Sequence, residues 1–111
     1  MSIRYSDYTV EQLRTELGQL VEERQKAEQL GEVNKVAILE RKIQIVTSYT
    51  INPDSFHAGD IHQLAGDPGY KFKINYINGI TAWGHRINLL EEMHELEEAL
   101  PISLLGDVVK Q

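Results

Sequence analysis

The chain has 111 residues, enough for one modest domain or a small domain with an appendage. Its 41% hydrophobic and 25% charged content is that of a folded globular protein, and a net charge of −6 argues against a dedicated nucleic-acid binder, which needs a basic surface for phosphates. The absence of cysteine excludes disulfide frameworks, thiolate metal sites and thiol nucleophiles; with no apolar run of spanning length and no basic-then-apolar leader, a cytoplasmic protein without membrane contact is expected.

Residues 1–53 read as an antiparallel helical hairpin. Thr9 has the features of a helix N-cap, with Gln12 placed to complete a capping box and Tyr8 to staple onto Leu13. Val10, Leu13, Leu17, Leu20 and Ala27 then recur at three- and four-residue spacing, interrupted by Arg24, until Leu30-Gly31 ends the helix. Glu22 and Lys26 stand in the favourable i, i+4 order. A second helix is predicted from Glu32 to Thr50, stopped by Asn52-Pro53. It carries two apolar stripes: Val36, Leu39, Ile43 and Val46 form one, and Ile38, Ile45 and Tyr49 form another. A hairpin mate covers only one stripe, so the second is expected both on the β unit of the same chain and on another copy, giving a dimer.

Residues 54–111 read as a small β unit. A first strand contains Ile61, and Gly66-Asp67-Pro68-Gly69 is a tight turn. From Tyr70 to Ile87 two alternating runs meet at Asn78-Gly79, which predicts a two-residue type I′ hairpin with Ile77 facing Ile80. That register puts Tyr70, Phe72, Ile74 and Tyr76 on one face with Thr81, Trp83, His85 and Ile87. Lys71, Lys73, Asn75 and Ile77 share the other with Ile80, Ala82, Gly84 and Arg86. Asn88–Glu98 mixes helical spacing with strand alternation and is expected to be a long loop with one helical turn. Ala99–Ile102 reads as a last short strand held to an edge by Pro101, followed by a turn of helix at Ser103–Gly106 and a frayed tail from Asp107. Four or five short strands around this hairpin suggest a small barrel. The second half is the acidic one, with four Lys/Arg against nine Asp/Glu, concentrated between Glu91 and Glu98.

Arg4-Tyr5-Ser6, Lys26–Gly31, Glu40-Arg41-Lys42, Tyr76–Gly79, Ala82-Trp83-Gly84 and Glu98–Ser103 together resemble the YfhH-type family of uncharacterised bacterial proteins, over nearly the whole chain. The resemblance implies an N-terminal helical hairpin (1–53) followed by an SH3-like β-barrel of about five strands (54–111), an α+β protein, soluble and from Gram-positive, spore-forming-type bacteria. It implies no activity and transfers no catalytic residue. Between Arg86 and Glu98 the connection reads as longer than the family pattern.

The chemistry-bearing residues point away from catalysis. His57 and His62 flank Asp60, but their spacing matches no ligand signature, and His94-Glu95 lacks the second histidine of a zincin. No nucleophile elbow or phosphate loop is present, and Glu91/Glu92 and Glu97/Glu98 read as solvated pairs. The expected catalytic, cofactor-binding and metal sets are therefore empty. A non-enzymatic interaction or regulatory module is expected, dimerising or docking an unknown protein partner through Ile38, Ile45, Tyr49 and Trp83. The alternative is a weak nucleic-acid-associated regulator using Lys71, Lys73 and Arg86 on one face of the barrel, disfavoured by the acidic surroundings.

Overall fold

The computed structural model describes residues 4–109, and the chain divides between Ile51 and Asn52 into two compact units. The first is the helical hairpin, with α1 at Val10–Gln29 and α2 at Val33–Ser48, preceded by a 3-10 turn at Tyr5–Asp7. The capping box forms as its residues dictate: the Gln12 amide donates to Thr9 Oγ1 at 3.1 Å, and the Thr9 amide to Gln12 Oε1 at 2.8 Å. Gly31 ends α1 with a φ of 70°, its amide donating to the Glu28 carbonyl while that of Glu32 reaches the Ala27 carbonyl. This paired closure needs a residue free to be left-handed at that point. The ion pair on α1 joins Arg24 to Glu28 at 3.6 Å, not Glu22 to Lys26.

Leu13, Leu20 and Ala27 of α1 meet Leu39 and Val46 of α2 in one buried cluster, ringed by Leu17, Val36 and Ile43. Burial of each large aliphatic side chain contributes about 1.5–3 kcal/mol. Tyr49 belongs to this packing too, with its ring 6.1 Å from that of Tyr5. Tyr5 itself lies 5.2 Å edge-on to Tyr8 and donates to Glu16 Oε1 at 3.3 Å. Burial, then the Glu16 carboxylate, raises the Tyr5 pKa. A raised folded pKa stabilises the hairpin below the ordinary tyrosine value, and that contribution is lost as pH climbs through the folded one.

The second unit is a five-stranded antiparallel sheet in the order β4-β3-β2-β1-β5, built from β1 (Ile61–Leu64), β2 (Lys71–Asn78), β3 (Thr81–Ile87), β4 (Glu98–Pro101) and β5 (Leu105–Val108). The fifth strand occupies the stretch expected to be helical turn and frayed tail. It is held to β1 by His62↔Val108 and Leu64↔Leu105 pairs. Only a 3-10 turn, Ile102–Leu104, separates β4 from β5, although these two strands are the opposite edges. Four Cα steps reach at most about 14 Å, whereas the edges of a flat five-stranded sheet stand about 19 Å apart. The sheet therefore curls strongly, in the sense a small barrel requires, while β4 and β5 share no ladder among the described residues.

The hairpin register differs from the expected one. Asn78 pairs with Thr81, so the turn is Gly79-Ile80; Gly79 alone has positive φ, 61°, and Asn78 stays in the strand. A bulge at Asn75 then shifts the pairing again, giving Tyr76↔Trp83 on one side of it and Ile74↔Gly84 on the other. The inward set is consequently Phe72, Ile74, Ala82 and Gly84, all buried. Trp83 and His85, expected beside Phe72 and Ile74, lie on the opposite face with Tyr76 and Lys73. Space explains the parity. A Cβ on Gly84 would sit 1.9 Å from the Lys73 carbonyl oxygen and 2.9 Å from Phe72 Cε1, so only glycine fits beneath that ring. Gly84→Ala is expected to cost at least about 2 kcal/mol, because the nearest obstacle is backbone and cannot swing away. The check is a lowered urea midpoint followed by Trp83 fluorescence.

Candidate interaction surfaces

On α2 the structure separates the three residues of the second stripe. Tyr49 is drawn into the hairpin's own packing, Ile45 is half-buried, and Ile38 is 58% exposed. Neither isoleucine belongs to the buried cluster between the helices. The short 3-10 turn at the N-terminus places Tyr5 against Tyr49, a contact that the periodicity of α2 does not contain. Trp83 is half-buried and stacks on Tyr76, the rings 5.9 Å apart and 8° from parallel. Tyr70 takes no part in that stack and lies instead against His94 and Arg86.

The three cations of the alternative reading do not share a face. Lys71 and Lys73 stand opposite Ile87 and His85, but Arg86 stands opposite Phe72, one step out of phase. Lys71 is bound to Glu91 at 2.7 Å. Arg86 is engaged three ways: its Nε donates to both Glu98 oxygens at 2.9 and 3.0 Å, its Nη1 to Asp67 at 2.7 Å, and its guanidinium lies 5.4 Å over the Tyr70 ring. Burial works against its charge, but the bonds to Glu98 and Asp67 outweigh that and raise its pKa. Its stabilising effect is thus present through the neutral range and fades only when pH rises beyond the usual arginine value.

The histidines are held by local bonds. His62 is almost fully buried; its Nδ1–H donates to the Gly106 carbonyl at 2.9 Å, and its ring lies 5.3 Å from that of Phe56. His57 is largely exposed, 3.5 Å from Asp60. His85 Nδ1 donates to the His94 carbonyl at 2.9 Å. Among the described residues no three His, Asp or Glu side chains gather into a metal-binding group.

A further surface lies in the connection from β3 to β4, residues 88–97, which contains turns and no helical turn. Asn88 organises it: its Oδ1 accepts from the Leu90 and Glu92 amides at 2.9 and 3.0 Å, its amide donates to the Glu92 carbonyl, and its carbonyl accepts from Glu91. Glu91 is left-handed there, with a φ of 62°, a conformation costing a non-glycine residue about 1–2 kcal/mol. The segment is drawn back by an Ile87↔Met93 bridge, by the His94 amide on the Arg86 carbonyl at 2.8 Å, and by Asn75 on Glu97. This pinned loop nonetheless leaves Leu89, Leu90 and Leu96 77–81% exposed and Met93 47% exposed. Sequence reasoning missed this surface. The signal was available: four large apolar residues among four glutamates, in a stretch that fits neither a helix nor a strand cleanly.

A two-helix hairpin and a five-stranded antiparallel sheet carrying a pinned apolar loop define a small α+β protein. Over residues 3–106 it matches the family model described as "Protein of unknown function (DUF1811)", and the chain belongs to that family. It is 41% identical over 107 residues to "Uncharacterized protein YfhH" of Bacillus subtilis (strain 168), covering 96% of this chain and 98% of that protein. The relationship agrees with the resemblance carried by the Trp-Gly and Leu-Pro-Ile-Ser segments. Among the described residues no helix is long and apolar enough to cross a membrane.

Arg86 ties together the Asp67 turn, the first residue of β4 and the loop root. Arg86→Met keeps much of the stem's packing on Tyr70 and deletes the charged bonds. It is expected to cost about 1–2 kcal/mol, a partly exposed network being discounted for solvent. Amides 88–97 should exchange faster with solvent deuterium while those of α1 are unaffected.

Proposed function

We propose that this chain is a non-enzymatic protein-interaction module that self-associates through its helical hairpin, in a regulatory rather than catalytic role. The observation that supports this best is Ile38, more than half exposed on α2 and outside the cluster that holds the two helices together. An isolated exposed isoleucine is ordinary, but Ile38 continues along the helix to Ile45 as one stripe, which suits a second helical or apolar surface. Trp83 stacked on Tyr76 supplies a second, aromatic contact surface on the sheet. The nucleic-acid alternative draws little from the geometry, since two of its three cations are bound to carboxylates and one lies out of phase with the others.

Light scattering on a size-exclusion column, run over a concentration series, should give a dimer for the wild type. Ile38→Glu should weaken that dimer by at least about tenfold, a charge replacing an apolar anchor at the contact. A wild type that stays monomeric at every concentration would reject the reading. For the alternative, anisotropy of a labelled single-stranded oligonucleotide at low salt should show no saturable binding; binding that weakens steeply with salt would favour it instead.

A further inference from the structure

We infer that the α2 stripe docks on the pinned 88–97 loop of a second copy of this chain, each copy offering its loop to the other's helix. The inference rests on the self-association proposed above and names the two surfaces that meet. It starts from the charges around each apolar patch.

At 100° per residue, Ile38 and Ile45 lie within about 20° of each other on α2. Lys35 and Lys42 flank that stripe on one side and Arg41 on the other, each within about 60° of Ile38. All three cations are exposed. Lys35 is 3.8 Å from Glu32, whereas Arg41 and Lys42 have no ion pair among the described residues. Packing α2 on α2 across a dimer would therefore set cations beside cations.

The loop has the opposite sign around the same kind of centre. Glu91 is taken by Lys71, Glu97 by Asn75 and Glu98 by Arg86. Glu92 and Glu95 are exposed and have no ion pair among the described residues. They sit among Leu89, Leu90, Met93 and Leu96, the most exposed group of large apolar residues on the sheet unit. Leucines between free carboxylates thus meet isoleucines between free cations, a match of both apolar area and charge. The loop's many bonds also leave little entropy to be lost on docking. Each copy carries both surfaces, so the dimer inferred here is a twofold pair in which the same helix-to-loop contact is made twice.

The test uses full-length chains and two charge-reversed variants, Glu92→Lys/Glu95→Lys in the loop and Arg41→Glu/Lys42→Glu in the helix. All four side chains are exposed, and circular dichroism melts verify that both variants fold. By sedimentation equilibrium each variant alone should dimerise about tenfold or more weakly than wild type. Mixed in equal amounts they should form a heterodimer within about threefold of wild-type affinity, since every contact in the mixed pair is again between opposite charges. The wild-type dimer should also weaken as salt rises. Reversals without effect, or a mixture as weak as its components, while Ile38→Glu still dissociates the dimer, would overturn the loop as the docking surface and leave self-association standing. A wild type that never dimerises would overturn both. Should either reversal unfold the chain, Glu92→Gln/Glu95→Gln with the salt series replaces it, and a salt-insensitive dimer unaffected by that change counts against the inference.

Discussion

The arrangement of the central hairpin follows from one close approach. Gly84 lies where the Lys73 carbonyl and the Phe72 ring leave no room for a Cβ. Once that position faces inward, period-two alternation has no freedom left: Ala82 must also face inward, and Trp83 and His85 must face outward. The outward His85 reaches the His94 carbonyl, and Arg86, one residue further, falls at the sheet end where Asp67 and Glu98 can both bind it. The loop's anchorage is thus a consequence of packing one and two residues back along β3. A bulge at Asn75 reconciles this parity with the tight turn at Gly79-Ile80. Without it, the register set by the turn would put Ile74 opposite His85 rather than Gly84.

Local signals were readable in the sequence wherever one short segment decides the outcome. The Thr9–Gln12 box, the Gly31 closure and the Gly66–Gly69 turn depend on dihedral freedom and on side chains three or four residues apart. The helix pair and the strand order of the central hairpin are of this kind. What escaped depends on contacts made elsewhere. Asn78-Gly79 has the preferences of a type I′ turn, yet the turn falls one residue later at Gly79-Ile80, and the Asn75 bulge restores the pairing that the space at Gly84 requires. Leu105–Val108 has too little alternation to announce a strand, and becomes one because β1 offers it an open edge. Tyr49 reads as outward on a helical wheel and is captured by Tyr5, forty-four residues earlier in the chain.

The candidate surfaces show the same division. Ile38 was legible because α2 has a regular period, and regular periods make outward residues countable. The apolar group at Leu89, Leu90, Met93 and Leu96 has no period. Its exposure is decided by Asn88, whose side chain binds the amides of Leu90 and Glu92, and by Glu91 holding a conformation that glycine would adopt more readily. A free loop with this composition would be expected to collapse onto the nearest apolar surface. The bonds to Arg86, His85, Lys71 and Asn75 hold it in another shape, and the strain at Glu91 is offset by them. Such an arrangement is hard to account for as a mere connection, since β3 and β4 are adjacent antiparallel strands that a far shorter link could join.

Charge placement bears on partner choice more than on strength. Two apolar patches on one chain permit three pairings: helix with helix, loop with loop, and helix with loop. Apolar burial alone barely distinguishes them, being non-directional. Arg41 and Lys42 beside the helical patch, and Glu92 and Glu95 beside the loop, set like charges together in the first two pairings and opposite charges in the third. The effect survives the molecule's net charge of −6 because screening confines it to groups within about a Debye length, 8–10 Å, of one another. Unpaired charges around apolar centres are therefore what gives these surfaces an order of preference, and the preferred pairing uses each surface once per copy.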